Sequence, residues 1–189
     1  NNFMKIKRSE TLHTLTRDQQ NAIVEIENSN SITHLLHGIT GSGKTRVYQE
    51  LAKKILKEQK SVLVLVPEIS LTPQLATEFE QLHDRVLVLH SGLTESQRHK
   101  NWQILNGTED PWVIVGPRSS LFAPISNLGL IIIDECHEPS YIQDSQPKYS
   151  ALRVARKLAE LQKNAKLVLG SATPAIADYF IAQATGTPV

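Results

Sequence analysis

Gly38-Ile39-Thr40-Gly41-Ser42-Gly43-Lys44-Thr45 decides the fold of this chain. The eight residues match G-x-x-x-x-G-K-[S/T] in full. An apolar run, Thr33–Leu36, precedes them. Thr45–Gln59 follows, with Val47, Leu51, Ile55 and Leu56 on one helical face. Strand, glycine-rich loop and helix in that order form a phosphate cradle. The glycines let backbone N–H groups close around phosphate oxygens, and the helix N-terminus adds partial positive charge. Lys44 is expected to reach the β- and γ-phosphates, and the Thr45 hydroxyl to ligate Mg²⁺. Gly38, Thr40, Gly41, Ser42 and Gly43 complete the expected nucleotide-binding set. By itself the loop leaves kinase, GTPase and motor open.

Outward from the loop, short β-branched runs alternate with helical patterns. The runs are Thr33–Leu36, Val62–Val66, Val86–Leu89, Trp112–Val115, Leu130–Ile133 and Lys166–Leu169. Continuous apolar runs of this length suit strands buried on both faces of a parallel sheet. Helices are predicted over Thr45–Gln59, Thr72–Leu82, Ser96–Asn106 and Ala151–Gln162, with a last one from Thr173-Pro174 to about Ala184. The expected fold is α/β: a mostly parallel sheet with helices on both faces, of the P-loop NTPase kind. Gln143–Gln146 and Pro147 mark a long loop after the fifth strand.

That fifth run ends in two acids, Asp134 and Glu135. A buried strand delivers both carboxylates to the carboxyl edge of the sheet, where ligands of such folds bind. Asp134 is expected to hold Mg²⁺ through its water shell. Glu135 is expected to orient and deprotonate an attacking water. A water-activating Glu fits an NTPase better than a small-molecule kinase.

Bulk properties exclude little. The chain has 189 residues, enough for one domain with a sizeable core. Its 20 basic and 19 acidic residues leave +1, so net charge announces no nucleic-acid partner. One cysteine, Cys136, rules out an intrachain disulfide and a cysteine-rich zinc site, and fits a reducing compartment. No run approaches the roughly 20 apolar residues of a membrane helix, and Asn1–Glu10 lacks a signal-peptide core. A cytoplasmic protein without a membrane partner is the expectation. The chain opens on Asn1 and stops at Val189 after a helical pattern, so it reads as a piece of a longer protein. Residues 1–14 read as an N-terminal extension and 15–189 as an ATP-binding domain.

Asp134-Glu135-Cys136-His137 has the form D-E-x-H. With Gly41–Thr45 and Gly170-Ser171-Ala172-Thr173 it resembles the superfamily 2 helicases of the D-E-x-H class. More closely, several segments resemble the bacterial primosomal replication-restart helicases. These are Leu15-Thr16-x-x-Gln19, Val64–Gln74, Leu89–Leu93, Gly116–Pro124 and Leu128–Glu135, and the resemblance spans about Leu15 to Ala184. It implies a RecA-like motor lobe of a DNA-dependent 3′–5′ helicase using ATP and Mg²⁺. Lys44, Asp134, Glu135 and His137 are then the catalytic set. His137, Ser171, Ala172 and Thr173 couple the ATP site, and Gln19 reads the adenine edge. Pro67, Thr72, Gln74, Arg118 and Ser119 track a DNA backbone without reading sequence. Tyr141, Lys148 and Tyr149 belong to an aromatic loop that senses single-stranded DNA, the tyrosines by stacking. Bland readings stand beside these: a helix cap at Thr173 before Pro174, and half-buried packing for the two tyrosines.

The implied partners are single-stranded or forked DNA, a second RecA-like domain of the same chain, and primosome and single-strand-binding proteins. The sequence departs from the family pattern at Cys136, Pro117, Ser150 and Leu152, where an acid, Thr, His and Arg are common. No arginine-finger segment and no zinc-ligand cysteines follow Thr173. The expectation is therefore a lobe that binds nucleotide but does not unwind DNA alone. The alternatives are a regulatory nucleotide-binding module that docks on partners, or another D-E-x-H translocase.

Overall fold

A computed structural model describes residues 14–67, 73–162 and 165–174. Six parallel strands form one sheet: β1 (Thr33–His37), β2 (Ser61–Leu65), β3 (Val86–Val88), β4 (Val113–Gly116), β5 (Leu128–Ile133) and, after the short strands β6 (Ile142–Gln143) and β7 (Tyr149–Ser150), β8 (Lys166–Ser171). Their order is β1-β8-β5-β2-β4-β3, and every neighbouring pair is parallel. β6 and β7 form a separate antiparallel hairpin.

The apolar runs become strands because both faces are covered. Along β2, Val62 and Val64 join one core with Tyr48, Leu51, Leu130, Ile132 and Val168, while Leu63 and Leu65 join the other with Ile131, Ile133, Leu167 and Leu169. Helix α2 (Lys44–Lys57) packs on the first face through Val47, Tyr48, Leu51 and Ala52. Phe79 of α3 (Pro73–Glu80) is buried in the same core. On the second face, α5 (Ala151–Leu161) presents Ala151, Ala155 and Ala159, all essentially inaccessible to solvent. Three alanines at i, i+4 and i+8 let the helix lie close to the sheet.

The α/β expectation holds, and the strands fall where the apolar runs lie, with ends shifted by one or two residues. β5 begins at Leu128, earlier than Leu130, and β8 runs to Ser171, past Leu169. Thr94, not Ser96, opens the fourth helix, α4 (Glu95–Asn106): its hydroxyl accepts from Gln97 N, and Gln97 Oε1 accepts from Thr94 N. One helix was not anticipated. α1 (Arg17–Asn28) starts at an equivalent capping box between Thr16 and Gln19 and buries Ala22 and Ile26. The helix expected from Thr173 lies outside the described residues beyond Pro174.

Ile131, fully buried in the central strand β5, tests this double coverage. Ile131→Ala is expected to cost about 2–5 kcal/mol in urea unfolding. An unchanged midpoint contradicts it.

Candidate nucleotide site at the carboxyl edge

The strand order sets β8 between β1 and β5, so the segments that follow these three strands meet at one edge. Gly38 N, just past β1, donates to Ser171 O at 3.1 Å, fastening the start of the loop to the end of β8. Cys136 N, past β5, donates to Gly170 O at 2.8 Å. Sheet pairing therefore continues into the loops and holds them side by side.

The loop turns through Gly41 and Gly43, with φ of 80° and 84°. At Gly43 the constraint is double, because a Cβ there would also lie 2.4 Å from Gln19 Nε2. Lys44 opens α2 and is almost fully buried; its Nζ donates to Gly38 O at 2.8 Å and lies 3.5 Å from Glu135 Oε1. The ammonium thus spans from its own loop to the acid pair. Thr40, Gly41 and Ser42 are exposed, and Thr45 is half-buried on the first turn of the helix.

Glu135 is held in the left-handed region at φ 46°, a conformation that costs a side-chain-bearing residue energy. The turn brings its carboxylate back over the edge. Beyond Lys44, Oε2 accepts from Ala172 N at 3.4 Å and lies 3.5 Å from His137 Nδ1. His137 Nδ1 and the buried Ser171 hydroxyl share a hydrogen bond of 2.7 Å, and the same hydroxyl accepts from Thr173 N at 3.1 Å. Glu135, His137, Ser171, Ala172 and Thr173 form one connected network.

Asp134 is half-buried. Burial raises its carboxyl above the ordinary carboxylate range; the Tyr48 hydrogen bond opposes this, Glu135 adds to it and Lys44 opposes it. Two tyrosines hold it, neither readable from sequence in this role. Tyr48 of α2 is fully buried, and its hydroxyl donates to Asp134 Oδ1 at 3.0 Å. The Tyr141 hydroxyl lies 2.6 Å from Asp134 O and 3.1 Å from Leu65 O and shares its proton between them. Burial, followed by the Asp134 charge, pushes both phenols well above their ordinary value.

Tyr141 therefore corrects the expectation of a base-stacking residue: only 1% of it is exposed, and its polar end is consumed by backbone. The ring has no face to offer a strand. Pro67 is also buried and presents no contact surface, which corrects its assignment to the DNA track. Thr72 and the Gln74 side chain lie outside the described residues. Arg118 is half-buried, with its guanidinium donating to Ser140 O, and Ser119 is exposed. Lys148 is exposed, while half-buried Tyr149 packs edge-on against Phe122 with centroids 5.3 Å apart. Gln19 is engaged at both ends of its amide: Oε1 accepts from Thr16 N at 3.0 Å, and Nε2 donates to Ser42 O at 3.1 Å. It braces the cradle from α1.

The donor set fits Mg²⁺ with a nucleotide. Among the described residues no cluster of three His, Cys, Asp or Glu side chains could cage a metal. A threonine hydroxyl and one carboxylate suit a cation that keeps most of its water and takes phosphate oxygens. Among the described residues no helix is long and apolar enough to cross a membrane.

Comparison with known proteins agrees. The sequence profile of the DEAD/DEAH box helicases matches residues 16–179. The chain is 46% identical to the replication restart protein PriA of Bacillus subtilis over 182 residues, covering 94% of this chain and 22% of that protein. It is 47% identical to PriA of Synechocystis over 148 residues, covering 77% of this chain and 17% of that protein. The chain thus spans about a fifth of the length of these curated relatives. Among solved structures, the Pyrococcus furiosus Hef helicase domain aligns with a TM-score of 0.64 at 23% identity, covering 90% of this chain and 36% of that one. The UvsW helicase of bacteriophage T4 aligns at 0.62 with 20% identity, covering 92% and 59%. These two show a shared fold.

The raised Asp134 carboxyl has a measurable consequence. A folded-state pKa above the unfolded one means that the ionised group opposes folding above both values and ceases to below them. Asp134→Asn is expected to melt higher than the unmutated chain at pH 7, with the gain shrinking as pH falls through the carboxylate range. A pH-independent difference contradicts this.

Proposed function

The chain belongs to the DEAD/DEAH box helicases, and we propose that it is the ATP-binding motor lobe of a DNA-dependent 3′–5′ helicase acting in replication restart. One observation carries the reading: Glu135 touches the cradle through Lys44 and the Ser-Ala-Thr segment through Ala172 and His137. A phosphate cradle alone serves many enzymes. A cradle wired to a third strand end suits a motor, which must convert nucleotide state into movement.

In this reading the backbone N–H groups from Gly41 to Thr45 bind phosphate oxygens at the N-terminus of α2. Lys44 exchanges the Gly38 carbonyl for a phosphate oxygen. Thr45 and Asp134 would hold Mg²⁺, Asp134 through water, and the metal would supply charge neutralisation to the phosphates there. Glu135 orients a water toward the γ-phosphorus and takes its proton as the bond to the β-phosphate oxygen breaks. Gln19 meets the adenine edge once its amide leaves the cradle carbonyls. His137 and Ser171–Thr173 relay the change toward a second RecA-like lobe, which supplies the arginine fingers. An arginine finger is worth about 10³–10⁵ in rate, so this lobe alone binds ATP, turns over slowly and does not unwind DNA. Its setting is cytoplasmic, with primosome and single-strand-binding proteins as partners of the longer protein.

The DNA reading is supported on the β3–β4 side of the same edge. There a groove of about 430 Å³ is lined by Arg98, Arg118, Ser119, Trp102 and Phe122, with no carboxylate among its described lining residues. Trp102 and Phe122 are 49% and 61% exposed. Cations beside accessible aromatic rings suit a single strand, whose bases stack without sequence preference. Lys148 and Tyr149 lie in the chain just beyond Gln143, which also borders the groove.

Calorimetry with ATP and Mg²⁺ tests the nucleotide site. Lys44→Ala is expected to lose most of the affinity; equal binding by both chains refutes the cradle. Titration of a fluorescent oligo-dT tests the groove. Trp102→Ala is expected to weaken binding about 5- to 150-fold, and an unchanged isotherm places the strand elsewhere.

A further inference from the structure

Tyr48 has no part in the chemistry above, yet it is a fully buried hydroxyl aimed at the Mg²⁺ acid. It stands four residues after Lys44 and three after Thr45, so it lies on the same side of α2 one turn further into the fold. The helix that offers Lys44 and Thr45 to a nucleotide therefore also reaches the end of β5. The hydroxyl donates to Asp134 Oδ1 at 3.0 Å, which ties that oxygen to the helix, while the Glu135 backbone N–H also bonds the carboxylate.

A second observation shows that the fold makes room for this contact. Gly170 of β8 lies directly beneath the phenol. A Cβ built there would sit 1.6 Å from Tyr48 Oη, 2.9 Å from its Cζ and 3.5 Å from Asp134 Oδ1. No side chain is compatible with the hydroxyl at that place. The glycine that begins Gly170-Ser171-Ala172-Thr173 is thus matched to a tyrosine more than a hundred residues earlier in the chain. If the phenol only filled the core, phenylalanine beside the same glycine would serve equally.

We propose that Tyr48 is a positioning residue of the metal–nucleotide site, fixing the Asp134 carboxylate in the orientation that receives hydrated Mg²⁺. This rests on the nucleotide site proposed above. A carboxylate free to turn can meet the metal's waters in several ways; one oxygen tied to a rigid helix selects one. Outer partners of metal-binding side chains commonly contribute about 10–100-fold to metal affinity.

The test uses the 189-residue chain with a fluorescent ATP analogue, titrated with MgCl₂ and again in EDTA. Tyr48→Phe removes the hydroxyl and keeps the ring. The ratio of nucleotide affinities with and without Mg²⁺ is expected to fall about tenfold in this variant. The Mg²⁺ concentration giving half-maximal binding is expected to rise in step. In an Asp134→Asn background, Tyr48→Phe is expected to leave the ratio where it was, because the carboxylate it positions is gone. A ratio unchanged in Tyr48→Phe overturns the proposal. So does an equal fall in both backgrounds, or a Tyr48→Phe chain that does not fold, since either makes the hydroxyl structural. Absence of Mg²⁺-dependent binding by the unmutated chain defeats the nucleotide site itself and the proposal with it.

Discussion

Everything in this molecule follows from burying a parallel sheet on both faces. Strands covered on both sides have no position along their length where a polar side chain can meet solvent or ligand. Val62–Leu65, Leu130–Ile133 and Leu167–Leu169 are accordingly apolar at every position and essentially inaccessible. Polar chemistry is driven to the strand ends, and because the strands are parallel, all the carboxyl ends share one edge. Strand order then decides which ends become neighbours. Placing β8 between β1 and β5 brings together three segments that begin at residues 38, 134 and 172.

How much of this was legible in the sequence follows from the same physics. The sheet was legible because double burial writes itself as unbroken apolar runs, and the cradle because glycine spacing reports backbone geometry directly. Strand ends slipped by a residue or two because pairing runs past the last apolar residue: Gly170 and Ser171 carry no apolar signal yet complete β8. α1 was missed because only Ala22 and Ile26 of its twelve residues are buried. Its helical signal lies in the Thr16–Gln19 capping box, which coincides with the Leu15–Gln19 nucleotide motif.

Two tyrosines show where sequence reading runs out. Tyr48 is buried on the face of α2 that carries Val47 and Leu51, and nothing local says that its hydroxyl meets a carboxylate 86 residues away. Tyr141 sits in a polar stretch and reads either as a base-stacking ring or as half-buried packing; the fold draws it fully inward to bridge Asp134 and Leu65. In both cases the deciding partner is tertiary, and its identity depends on strand order. The stacking reading of Tyr141 fails and the packing one stands, because a loop ring and a buried ring have the same sequence signature.

The Lys44 ammonium rests on the Gly38 carbonyl and beside Glu135. Its hydration has been surrendered during folding, because the side chain is almost fully buried. In the proposed reading, a phosphate entering the loop would meet a cation that needs little further stripping of water, and would replace one oxygen acceptor with a better one. Capture would then be an exchange of partners at a preformed centre. The carbonyl that would be displaced belongs to Gly38, the residue whose own N–H is fastened to Ser171 O. In the proposed reading, exchange at the loop would therefore take place one residue's backbone away from the neighbouring strand end.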